Sequence, residues 1–284
     1  MKLKVSSSVR QFREKAERAW GLKEWEGIND PDQELLFFGL FHDRDFEVFH
    51  NFKGQKSVFW CGGDILRVLE DYERRRVLRI ALGTRHYCET EVEAENLRKA
   101  GFEPEIIPSF LGNIEDYPVS FQPPLEGEKW KVWMCGHPDR EQEYGFDKAR
   151  QLAKIFPDVE FHFYGVDKEY AGKPNLESDS LPNVIYHGLV SEEQLDKEIK
   201  RMQCGLRLNE HDGVSEVIVK SILLGQYPIS FLPYEGVAQY QTFEDLVELI
   251  EKMKEQREPN LRTRAIWLKS LNNFPWCKKE FYAP

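Results

Sequence analysis

Short apolar runs and longer amphipathic stretches alternate along most of this chain. LLFFGLF (35–41), SVFWC (57–61), VLRIALG (77–83), KVWMC (131–135), VEFHFYG (159–165), NVIYHG (183–188) and YPISF (227–231) are rich in apolar residues at consecutive positions. Such runs predict strands buried on both faces, since a half-buried strand would be polar at every second position. MKLKV at the start, EIIPSF (105–110) and Cys204 to Leu208 are predicted strands too. Helices are predicted over RQFREKAERAW (10–20), ILRVLEDYERR (65–75) and ETEVEAENLRKAG (89–101), the last closed by Gly101. Helix 146–156 carries Phe146, Ala149, Leu152, Ala153 and Phe156 on one stripe. The capping box Ser191-Glu192-Glu193-Gln194 opens a helix with Leu195, Ile199 and Met202 inward. Another helix starts at Ser215 and stops at Gly225, and one capped by Thr242 sets Leu246, Leu249, Ile250 and Met253 at core spacing.

Strands alternating with helices predict an α/β fold with parallel sheets covered on both faces. Asp116 to Lys129, with Pro118, Pro123, Pro124 and Gly127, interrupts the alternation and is the best linker in the chain. The pattern then restarts. It predicts two Rossmann-like domains facing across a cleft, residues 1–125 and 126–256, with a helix and tail (257–284) crossing back to the first. The tail, helical over LRTRAIWLKSL and then aromatic, has two readings. It packs against the first domain, or Phe274, Trp276, Phe281 and Tyr282, with Lys278 and Lys279, form a surface patch for a lipid or an acceptor.

Composition narrows the classes. The 284 residues suffice for two average domains with ample core. A formal charge of −10, acidic in both halves, argues against nucleic-acid binding and a polybasic membrane patch. Cys61, Cys88, Cys135, Cys204 and Cys277 are odd in number and widely spaced, which argues against a disulfide framework or zinc cluster and for a cytoplasmic location. MKLKVSSSVRQF lacks an apolar signal core, and no transmembrane segment is expected.

The chemistry is placed in RLNEHDGVSEVIVKSILLG (207–225). A strand runs into the polar loop Asn209-Glu210-His211-Asp212-Gly213, and Ser215 caps the helix that follows. Gly213 permits close approach of a ligand, and the helix start favours an anion such as a diphosphate. This is the usual ligand position of an open α/β sheet. In the first domain Gly62, Gly63 and Asp64 end a buried strand. They either admit an acceptor hydroxyl or a donor phosphate close to the backbone, or form a tight turn with Asp64 as helix N-cap. His86 is either at the cleft or structural. A dehydrogenase is disfavoured, because no strand is followed by Gly-x-Gly-x-x-Gly.

From about Lys131 to Lys254 the order of elements and motifs resembles the donor domain of GT-B glycosyltransferases of the retaining family 4 type. Fainter similarity extends to Cys61-Gly62-Gly63-Asp64 and CETEVEAENLRKAGFEPEIIPSF. The resemblance implies transfer of a sugar from a nucleotide-diphosphate sugar to a hydroxyl acceptor (glycan, lipid or small molecule), with retention, no metal and no bound cofactor. HGLVSEEQL resembles the turn that meets the nucleobase, making Gly188, Leu189 and Val190 candidates. HDGVSEVIVKSILLGQYPI resembles the donor signature, two glutamates around Gly-x-Gly. Asp212 takes the first glutamate position and Gly213 the first glycine. Ser215 replaces the second glycine and Lys220 the second glutamate. Asp212, with His211, would orient the sugar, and the backbone of Gly213, Val214 and Ser215 would meet the diphosphate; Glu210 lies in the same loop.

Two departures stand out. A charged lysine has donors and no acceptor, so Lys220 cannot accept ribose hydroxyls as the family's acid does. Its other reading is an ion pair with Glu216, four residues earlier. In CGHPDREQEYGFD the family's Gly-Arg and Lys-Gly pairs read Gly136-His137 and Tyr144-Gly145. Arg140 or Arg207 would then supply the positive charge for the diphosphate. These departures keep open a second class of function, a non-catalytic nucleotide-sugar binder or degenerate subunit.

Overall fold

A computed structural model describes residues 1–28, 30–71, 83–166 and 181–277. The fold is α/β, with two parallel sheets, and the chain divides into two compact units. The first comprises residues 1–113, Asp212–Val214 and 269 onwards; the second comprises Ile114–His211 and Ser215–Leu268.

The first unit holds β1 (Lys2–Val5), β2 (Glu34–Phe38), β3 (Gln55–Phe59), β4 (Arg85–Cys88) and β5 (Pro104–Ile106), parallel and side by side in that order. Period-two geometry sends alternate residues of β2 to opposite cores. Leu35 and Phe37 pack with Phe46, Phe49, Ile65 and Leu97 from the helices. Leu36 and Phe38 pack on the other face with Trp20, Phe59 and Phe274. Both faces are therefore apolar, which explains the unbroken run at 35–38. The predicted strand VLRIALG lies, but for Gly83, outside the described residues. Of the two readings of His86 the structural one fits: it lies inside β4, buried, accepting from the Trp60 indole through Nδ1 at 3.2 Å. Burial lowers its pKa to about 4, as suits a structural imidazole.

The second unit holds β6 (Trp130–Cys135), β7 (Val159–Tyr164), β8 (Val184–Gly188), β9 (Cys204–Arg207), β10 (Ile229–Ser230) and β11 (Ala238–Gln239). Their order is β11-β10-β9-β6-β7-β8, so the chain builds outward from β6 in one direction and from β9 in the other. The helices form where capping predicts. Ser215 accepts from the Val217 N–H, and Thr242 and Asp245 complete a capping box. Gly101 and Gly225 follow their helices with φ of 87° and 77°. The Ser191 box is half made: Ser191 accepts from the Gln194 N–H, while the Gln194 side chain bonds Glu198 instead. The helix Glu216–Leu223 lies close on β9, because a Cβ on Gly205 would collide with Ser221 and Val217.

The proline-rich stretch is anchored in the second unit rather than extended. Phe121 is buried, and the Ser120 and Phe121 N–H groups both donate to the Leu224 carbonyl at 3.0 Å. At the other end of the chain, Phe274 is buried against Trp20 and Phe59, and Trp276 packs edge-on to Tyr87. Phe281, Tyr282, Lys278 and Lys279 lie outside the described residues. Among the described residues no helix is long and apolar enough to cross a membrane.

Phe274→Ala should cost the first unit on the order of 3–5 kcal/mol, through lost burial and the cavity left behind. Urea unfolding followed by Trp20 fluorescence measures it; a loss below about 1 kcal/mol would mean the tail does not belong to this core.

Candidate functional site

The reversal of strand order between β6 and β9 sets a crevice at their C-terminal ends, where loops from the two strands run to opposite sides. Several residues singled out by sequence fall there. Gly136 follows β6, and a Cβ at that position would run into the Phe146 ring and lie 3.1 Å from Tyr144. Arg207 ends β9, with its guanidinium 4.8 Å from the centre of the Tyr144 ring and Nη1 3.5 Å from the Cys135 carbonyl oxygen. Tyr144 thus seats an arginine from another strand.

Neighbouring strand ends are joined through glycine. The Gly136 N–H donates to the Tyr164 carbonyl, and the Gly165 N–H to the Gly188 carbonyl at 2.8 Å. Gly188 has a φ of 63° and turns the chain into Leu189, which is 93% exposed. Just before this turn His187 stacks on Tyr164 and shares a 2.9 Å hydrogen bond with His162.

Other predicted cations and polar groups are placed differently. Arg140 is exposed and pairs with Glu143 at 2.6 Å, while His137 accepts from the Asp139 N–H at the start of a short turn. Glu210 and His211 are exposed, with Glu210 3.9 Å from Lys148. Arg150, not among the predicted site residues, is buried and holds Glu141, Asp147 and the Tyr186 hydroxyl. It fixes the stretch that carries Tyr144. Its i,i+3 spacing from Asp147 was the available signal.

Lys220 is 2% exposed. Its ammonium lies 2.9 Å from Asp196, 3.4 Å from Glu192 and 3.4 Å from Glu216, with the Tyr117 ring centre at 5.5 Å. The predicted pair with Glu216 exists, but as part of a network of partly exposed carboxylates around a buried ammonium. Burial alone would lower the lysine pKa; Glu216, Tyr117 and Asp196 outweigh it and raise the pKa well above its ordinary value.

Asp212–Val214 groups with the first unit. The Val214 N–H donates to Glu89 Oε2 at 2.8 Å, and the Ser109 hydroxyl donates to Glu89 Oε1. Glu93 accepts through Oε2 from the N–H groups of Glu89 and Thr90, while its Oε1 is buried without a partner. Gly62, not Asp64, is the N-cap of the helix Gly63–Glu70. The Asp64 carboxylate is fully buried and used otherwise, accepting from the Leu40 and Cys61 N–H groups at 3.0 Å each. Burial raises its pKa to about 6, against the pull of those amides. Among the described residues no cluster of three or more His, Cys, Asp or Glu side chains is arranged to hold a metal ion.

The two parallel sheets and their strand-end crevice belong to a fold shared with GT-B glycosyltransferases. Among solved structures, the chain is similar to the lipopolysaccharide outer core galactosyltransferase WaaB in its apo form, with a TM-score of 0.61, 12% identity, and coverage of 95% of this chain and 80% of that one. It is similar to Anabaena HepE in complex with UDP-glucose, at TM-score 0.58 and 13% identity, covering 83% and 74%. It is also similar to the pneumococcal O-GlcNAc transferase GtfA in complex with UDP and GlcNAc, at TM-score 0.56 and 12% identity. That match takes in 86% of this chain, which spans about half (55%) of GtfA. No family model matches the sequence, and no curated protein does.

Two substitutions test this electrostatic picture. Lys220→Ala removes a buried ammonium and leaves the partly exposed Asp196, Glu192 and Glu216 as neighbouring like charges, and should cost about 1.5–3 kcal/mol in chemical denaturation; a cost typical of a surface pair would refute the network. Asp64 has a raised folded pKa, so its share of stability is complete below the unfolded value near 4 and fades as pH rises through about 6. Wild type should therefore lose roughly 2 kcal/mol relative to Asp64→Asn between pH 4 and 7, and parallel stability curves would contradict this.

Proposed function

We propose that this chain transfers a sugar from a nucleotide-diphosphate sugar to a hydroxyl acceptor, with retention at the anomeric carbon and no metal ion. The observation that carries the reading is Arg207, seated on Tyr144 at the strand-order switch of the second sheet. A guanidinium keeps its charge at any working pH and can bond two phosphate oxygens in one plane. The bond from the anomeric carbon to the diphosphate oxygen breaks with its electrons going to the nucleotide, so a fixed positive charge lowers the barrier where negative charge develops. The acceptor oxygen bonds to the anomeric carbon, and its proton leaves to the departing diphosphate. UDP in the GtfA structure and UDP-glucose in the HepE structure support a UDP-sugar as the donor.

In this reading the Gly213, Val214 and Ser215 backbone meets the diphosphate, and Asp212 with His211 orients the sugar. The backbone of Gly188, Leu189 and Val190 pairs with the base edge, which needs no particular side chain. Gly136 leaves room beside Arg207; Arg140, His137 and Glu210 lie at the rim. Gly62 and Gly63 serve the acceptor side, with Asp64 holding their turn.

A second reading, a nucleotide-sugar binder without turnover, is favoured by Lys220. Its ammonium is committed to Asp196, Glu192 and Glu216 and offers no acceptor to a ribose.

Thermal unfolding with UDP, GDP, ADP and CMP separates these readings from no donor site at all. A specific nucleotide at ~100 times its dissociation constant should add ~2.7 kcal/mol to stability. Arg207→Ala should abolish the shift, and Asp212→Ala only the extra shift given by the sugar. Release of the nucleotide from its sugar in the presence of acceptors marks a transferase; binding without release marks the second reading. No shift with any nucleotide overturns both.

A further inference from the structure

The Asp212–Val214 backbone is already occupied by acid. Glu89 Oε2 takes the Val214 N–H at 2.8 Å and lies so close to Gly213 that a Cβ there would collide with it. Glu93 is 4% exposed, and its partnerless Oε1 is 3.3 Å from the place a Gly213 Cβ would fill and 3.4 Å from that of Gly62. A buried acceptor without a donor is costly, so this oxygen marks a place where something protic or cationic is wanted. The lack of a side chain at Gly213 leaves its backbone open to an anionic oxygen, and in this structure Glu89 provides it.

We propose that the Glu89 carboxylate is a built-in competitor, seated on the Asp212–Val214 backbone where the donor's diphosphate binds, and that the diphosphate must displace it. This rests on the donor-binding reading of that loop given above. Two like-charged groups cannot share one N–H in a buried setting, so displacement runs with proton uptake by the acids left behind. The groups that face Glu89 are Asp212 on the loop, Glu93 on the helix Glu91–Lys99, and Asp64 and the Cys61 thiol beyond Glu93. Burial foremost, with Asp212 adding to it, pushes Glu89 up to about 7, while Ser109 and Val214 pull the other way. Burial and then Glu89 raise Glu93 further. The competitor is thus half disarmed near neutrality and strongest in mild alkali.

The test is calorimetric titration of the full chain with UDP and with inorganic pyrophosphate, at pH 8, in buffers of differing ionisation enthalpy. Glu89→Gln keeps one acceptor oxygen for the Val214 N–H, turns its NH2 to the Ser109 hydroxyl, which can accept, and removes the charge. It should bind both ligands about tenfold tighter (~1.4 kcal/mol) and take up less proton than wild type. Glu91→Gln makes the same charge change on an exposed residue paired with Arg98, and should leave both quantities unchanged. Equal or weaker binding by Glu89→Gln overturns the competitor, as does equal tightening by Glu91→Gln. Wild type that binds neither ligand overturns the donor reading itself, a result distinct from the other two. The Val214 amide resonance gives an independent readout: its pH-dependent shift should vanish in Glu89→Gln, and persistence would also overturn the proposal.

Discussion

Among the described residues every strand runs parallel to its neighbours, and most other features follow from that constraint. A parallel pair cannot be closed by a tight turn, so each connection crosses a face of the sheet. The sheet interiors then become apolar on both sides, which is why β2 carries Leu35 to Phe38 without a polar break. All loops that leave strands emerge at one edge of each sheet, and polar residues released from the core gather there. In the second unit the change of direction between β6 and β9 opens that edge, and Arg207 reaches Tyr144 because their strands are neighbours.

Burial of charge is the second organising feature. Lys220, Arg150 and the Asp64–Glu89–Glu93 acids are withdrawn from water, and all but Glu93, held by its own capping box, have partners from separate elements. Lys220 joins the helices Glu192–Ile199 and Glu216–Leu223, and Tyr117 reaches the same network through Asp196. Arg150 ties the start of its own helix to Glu141 and to Tyr186 on β8. Such networks fix geometry more than they add stability, since desolvation consumes most of the attraction.

The fold was legible because its signals are local. The caps at Ser215 and Thr242, the glycine stops at 101 and 225, and the stripe from Phe146 to Phe156 depend on residues within a turn or two. Placement at the sheet edge was legible for the same reason, as a strand followed by a polar loop and a cap. What was not legible depends on pairing between distant parts of the chain. Glu89 precedes an ordinary capping box at Thr90, and nothing nearby shows that its carboxylate meets Val214. Lys220 reads as one half of a surface pair until Asp196 and Glu192 come in from another helix. Asp64 reads as a cap, yet its oxygens are taken by Leu40 and Cys61, leaving the cap to Gly62.

The burial of Lys220 also makes it a chemically silent amine. A reagent that modifies lysines needs a free, deprotonated nitrogen lone pair, and here the proton is held and the approach is closed. Surface lysines on the same unit, such as Lys252 with its side chain 65% exposed, are open to such a reagent in the folded state. Lys220 becomes reactive only when its two helices part, so the rate at which it is labelled is a clock for opening of that unit, written into the chain without any added probe.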